Sequence, residues 1–122
     1  MSKKRHPVSP HLTIYSFPLS AISSITVRVT GVALYGGIML MGGLEVFGVS
    51  AAEFAVDNLQ ASSYLPLYKT IITFPLAYHY LGGVRHAYWD RVPESVTNEG
   101  VERSCWAVFA GTAVAVGVGV VV

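Results

Sequence analysis

Charged residues divide the chain into blocks. None occurs over residues 29–44, none over 70–84, and none over 104–122. Each block is apolar on every side, without the two-residue alternation of a half-buried strand. A helix needs about 20 mostly apolar residues to cross the hydrocarbon of a bilayer. The pattern predicts an all-α membrane protein with three transmembrane helices, at about 22–48, 62–89 and 103–122. Glycines are frequent inside these spans, where they let helices approach closely in lipid. The Val-rich third block has high strand propensity. A lone strand leaves its backbone unpaired in lipid, so helix is the expectation there too.

Residues 1–21 read differently. Pro7, Pro10 and Pro18 alternate with Leu12, Ile14, Tyr15 and Phe17. This reads as an irregular N-terminal segment lying at the interface against a soluble partner, or else as a plain linker. The prolines and His11 leave no apolar core for a cleaved secretory signal after the basic start, and no long mitochondrial presequence is visible. Residues 22–122 then form the transmembrane domain.

Composition agrees. Over 122 residues, 52% are hydrophobic and 12% charged, about half the charge of an ordinary soluble domain. The net charge is +1, with too few Lys and Arg to neutralise a nucleic-acid backbone. The lone cysteine, Cys105, excludes an internal disulfide and a multi-cysteine cluster built from this chain alone. Its apolar surroundings make it a packing residue. Lys3, Lys4 and Arg5 precede the first span, and Arg91 and Arg103 occupy the second loop. The positive-inside rule puts both on the cytoplasmic or matrix side.

A few polar residues interrupt the spans. Ser24 and Arg28 are four apart and share a helix face. Arg28 either snorkels to the boundary or meets an anionic or carbonyl-bearing ligand with Ser24 beside it. His79, Arg85, His86 and Asp90 lie on the second span. His79 and His86 are two turns apart on one face. His79 is deeper, about 16 Å of helical rise from Asp90, against about 6 Å for His86. An imidazole at that depth is costly unless paired or ligating. It is either a hydrogen-bonded structural histidine or an axial ligand of haem iron. A haem at His79 would find Arg28 and His86 placed to meet its propionates. His6 and His11 lie outside the bundle, so a second axial histidine requires another chain. A heteromeric bundle follows. Tyr88 and Trp89 suit an interfacial belt.

Two segments carry a family resemblance. RHPVSPHLTIYSFPLSAISSITVRVTG, residues 5–31, resembles the N-terminal signature of the succinate dehydrogenase cytochrome b large subunit. HYLGGVRHAYWD, residues 79–90, resembles its second signature. Val27 stands where the family often has His, the start reads Arg-His-Pro rather than Arg-Pro, and Ala87 replaces a larger apolar residue. The resemblance implies that Ser24, Arg28 and Asp90 belong to a ubiquinone site. It implies that His79 is the axial ligand of haem b, with His86 and Arg28 near the propionates.

It further implies a non-flavin subunit of complex II with no succinate-oxidising activity of its own. Its partners would be a small membrane-anchor subunit supplying the second histidine, an iron–sulfur subunit, a flavoprotein subunit and the lipid bilayer. The expected location is the mitochondrial inner membrane with the N-terminus on the matrix side, or a bacterial plasma membrane with it cytoplasmic. A haem-free structural anchor is the alternative. A stand-alone b-type cytochrome would need a second histidine on these helices.

Overall fold

The structure is a computed structural model. It describes residue 7 and residues 9–59 and 62–122. Lys3, Lys4, Arg5 and His6, and with them part of the interfacial N-terminal segment, lie outside the described residues.

The described chain is all helical. A one-turn helix, α1 (His11–Ile14), is followed by α2 (Leu19–Val46), α3 (Ala51–Leu59), α4 (Leu65–Arg91), a 3₁₀ turn at Pro93–Ser95, and α5 (Asn98–Val121). At 28, 27 and 24 residues, α2, α4 and α5 are about 42, 40 and 36 Å long. Each exceeds the roughly 30 Å of hydrocarbon in a bilayer.

Local chemistry sets the ends. Pro18 precedes α2, and its carbonyl accepts from the N–H groups of Ala21 and Ile22 at 3.0 and 3.3 Å. Gly48, at φ 76°, lies in the left-handed region where a side chain is strained, and it stops the chain just past α2. Thr97 caps α5, accepting from Gly100 N–H at 3.1 Å. That cap explains why α5 begins at Asn98 rather than at the charge boundary near 103: a polar first turn extends the helix out of the apolar block.

The helix α3 falls in the loop between the first two expected spans. A signal for it was present, because Ser50 and Glu53 have the spacing of a capping box. Glu53 N–H lies 3.3 Å from Ser50 Oγ.

α4 packs against both α2 and α5, and α2 also touches α5. Ser23, Val27 and Gly31 of α2 meet Arg85, Gly82 and His79 of α4, so the two run antiparallel. Cys105, Gly111 and Gly119 of α5 meet Arg85, Leu81 and Thr73, so α5 is also antiparallel to α4. Close approach at Gly82 is what joins α2 to α4. A Cβ there would stand 2.7 Å from Val27 Cγ2.

Polarity is distributed opposite to a soluble bundle. In α2 the buried residues are Ser23 and Thr30; in α5 they are Cys105, Val108 and Thr112. Val32, Ile38, Leu40 and Val114 face outward. Soluble interiors are filled by such residues instead, and an exposed apolar surface of this extent needs lipid or another protein against it. α2 and α5 are long and apolar enough to cross a membrane. α4 is long enough but carries Lys69, Arg85, Asp90 and Arg91, so its composition alone does not mark it as a span.

Candidate functional site at the α2–α4 seam

His79 stands on α4 with its ring against α2. Its Nδ1 lies 2.9 Å from the carbonyl oxygen of Val27. A carbonyl only accepts, so Nδ1 carries the proton and donates. The lone pair of the neutral ring is then on Nε2. Metal-ligating histidines are oriented in this way, by a hydrogen bond from the nitrogen that does not bind the metal. Thr30 Oγ1 also donates to the Val27 carbonyl, at 2.9 Å, and to Thr26 O at 2.8 Å. Gly31 forms the wall behind the ring: a Cβ there would stand 2.7 Å from Cε1 and 3.1 Å from Nδ1. The other side of His79 is exposed.

A second cluster lies one and a half turns along α4. Arg85 is 8% exposed. Its Nη1 donates to Ser23 Oγ at 2.9 Å and to Cys105 Sγ at 3.3 Å. Its guanidinium carbon is 4.9 Å from the centre of the Trp89 ring, within cation–π range. Tyr78, fully buried, donates its hydroxyl to the same Ser23 Oγ at 3.1 Å. Tyr78 also lies against Phe74 and Phe109, with centroids 5.8 and 5.1 Å away. One serine oxygen thus receives a hydrogen bond from each of two α4 side chains, and one guanidinium joins three helices.

The sequence-derived site residues fall on two neighbouring stripes. Ser24, Arg28 and Gly31 share a stripe of α2, and His79, His86 and Asp90 share a stripe of α4. The stripes touch where His79 meets Gly31. Because the helices are antiparallel, Ser24 and Arg28 lie level with the His86 end of α4. Ser24 is half-buried, while Arg28, His86 and Asp90 are exposed. His86 stands edge-on to Trp89, with ring centroids 5.3 Å apart. Among the described residues, no hydrogen bond or ion pair joins Ser24, Arg28, His86 and Asp90 to one another.

Ser23 and Tyr78 had no part in the sequence-derived site, and Cys105 was read as packing alone. Cys105 is buried and also accepts from Arg85. The available signal was Arg85 itself, a charge inside a long helix flanked by two apolar ones, where a buried charge demands partners on facing helices.

The fold and this seam define a class: a helical protein, with two helices long and apolar enough to cross a membrane, that presents one oriented imidazole at a helix edge. Comparison narrows it. The model of the succinate dehydrogenase/fumarate reductase transmembrane subunit matches residues 2–119. The succinate dehydrogenase cytochrome b556 subunit of Paracoccus denitrificans is 36% identical, over 93% of this chain and 88% of its own length. The mitochondrial cytochrome b560 subunit of Dictyostelium discoideum is 37% identical over 88% of this chain and 57% of its own length. The human one is 39% identical over 69% and 52%. The chain belongs to the succinate dehydrogenase/fumarate reductase transmembrane subunit family. It spans little more than half the length of the mitochondrial relatives it matches.

Proposed function

We propose that this chain is the cytochrome b membrane-anchor subunit of a succinate dehydrogenase, complex II, and that it contributes to a haem b site and a ubiquinone-reduction site. The observation that carries the reading is the hydrogen bond from His79 Nδ1 to the Val27 carbonyl, which leaves Nε2 free as an axial donor. The names of the relatives, cytochromes b556 and b560, support it. The residues present fit the group: an imidazole oriented by its Nδ1 hydrogen bond, with a glycine clearing room for its ring.

In this reading all three long helices span the membrane, within a bundle that other chains complete. The N-terminus faces the matrix or the bacterial cytoplasm, since Arg91 and Arg103 lie at that end. His79 would hold the haem iron from this chain, and the small anchor subunit would supply a second histidine. Bound there, haem b stores and passes single electrons. Arg28 and His86 offer cationic or N–H donors to its carboxylates.

Ser24 donates a hydrogen bond to a quinone carbonyl. Arg28 holds the developing negative charge on oxygen, and Asp90, at the end of α4, relays protons from the inner side to the quinone. This chain therefore binds, orients and protonates. Succinate oxidation belongs to a flavoprotein partner and the electron path to an iron–sulfur partner.

The test is spectroscopic. The purified complex should give a b-type band in its reduced-minus-oxidised spectrum, and His79→Leu should abolish or shift it. A wild-type complex with quinone reductase activity and no such band would make the chain a haem-free anchor instead.

A further inference from the structure

Arg85 is the charged side chain that the described residues bury. A guanidinium taken out of water ordinarily meets a carboxylate. Here every partner is neutral: the hydroxyl of Ser23, the thiol of Cys105 and the ring of Trp89. Its Nε is buried and makes no hydrogen bond among the described residues. The hydroxyl and thiol orient the group without cancelling its charge. Arginine does not lose its proton under such conditions, so the positive charge persists.

Position gives that charge a use. Arg85 lies six residues from His79 on the same helix, about 9 Å of axial rise. Two antiparallel neighbours cover it, so little water screens it on that side. A fixed cation at that range stabilises whichever state of a nearby redox group is the more negative. The group gains one electron on reduction, and no bond forms or breaks at Arg85.

We propose that Arg85 is a positioning residue for the redox group at His79, its uncompensated charge raising the tendency of that group to accept an electron. The proposal rests on the haem reading of His79. It is separate from the part played by Arg28, which is exposed and is read as meeting the haem carboxylates and the quinone directly.

Potentiometric titration of the b-type band in the intact complex tests it. Arg85→Gln should lower the midpoint potential, and Arg85→Lys should restore most of the loss because it keeps the charge. A second pair removes the charge's effect while leaving Arg85 in place. Ser23→Asp puts a carboxylate at the Arg85 fork, and Ser23→Asn is its neutral counterpart. The Asp variant should have the lower potential of the two.

If Arg85→Gln does not assemble, the Ser23 pair still decides. Equal potentials for Ser23→Asp and Ser23→Asn, or no difference between Arg85→Gln and Arg85→Lys, would overturn the proposal while leaving the haem reading intact. A wild-type complex with no b-type band would overturn both.

Discussion

His79 and Gly31 are matched across the α2–α4 seam: the edge of the imidazole occupies the space that a Cβ on Gly31 would need, 2.7 Å from Cε1. Gly31→Ala must push the ring outward and stretch its bond to the Val27 carbonyl. Overpacking of this kind costs about 1–3 kcal/mol. Haem content per complex should fall, and what remains should show an altered b-type band. Gly37 has nothing within 4 Å in this chain, so Gly37→Ala is the matched substitution and should leave the spectrum unchanged. Haem extraction and quantitation against protein checks both.

Arg28→Ala should reduce ubiquinone reduction by about 10-fold or more, the worth of one hydrogen bond involving charge, and Ser24→Ala by roughly 2- to 10-fold, the worth of a neutral one. Succinate oxidation with an artificial acceptor should persist, because neither residue touches that chemistry. Equal losses in the two assays would remove both residues from the quinone site.

The adjacent serine should behave differently. Ser23→Ala leaves two buried donors, Tyr78 Oη and Arg85 Nη1, without their shared acceptor. The expected destabilisation is about 1–3 kcal/mol. Tyr78→Phe removes one donor and leaves Arg85 its acceptor, so about 1 kcal/mol is expected. Thermal unfolding of the detergent-purified complex should rank Ser23→Ala below Tyr78→Phe and both below wild type.

Cys105 is fully buried between α4 and α5. A membrane-permeant maleimide should leave this chain unlabelled in the native complex and label it after denaturation. Labelling under native conditions would mean that the α4–α5 contact is open.

The long helices were legible in the sequence because charge is a one-dimensional quantity. The uncharged blocks located α2 and α5, and His79 stood out as a polar residue inside the uncharged block of α4. Which way a residue faces was much less legible. Ser23 and Ser24 are neighbours about 100° apart on α2, and both sides of that helix are apolar. Only the crossing at Gly82 decides that Ser23 turns inward to Arg85. Ser24 and Arg28 are marked by their shared helix face, whereas nothing in the sequence sets Ser23 apart as the partner of Arg85. α3 was missed although its Ser50–Glu53 cap was in view, because a nine-residue helix makes little mark beside three long apolar blocks.

The grip on Arg85 also bears on the order in which the chain comes to rest. Synthesis delivers α2 first, α4 second and α5 last. In a membrane-spanning arrangement α4 leaves the translocation channel with a full charge at its inner half, and one acceptor, Ser23, already waits on α2. The other, Cys105, follows 20 residues later. α4 therefore has little reason to enter lipid alone. It should linger beside α2 until α5 arrives, and the two should settle as a hairpin.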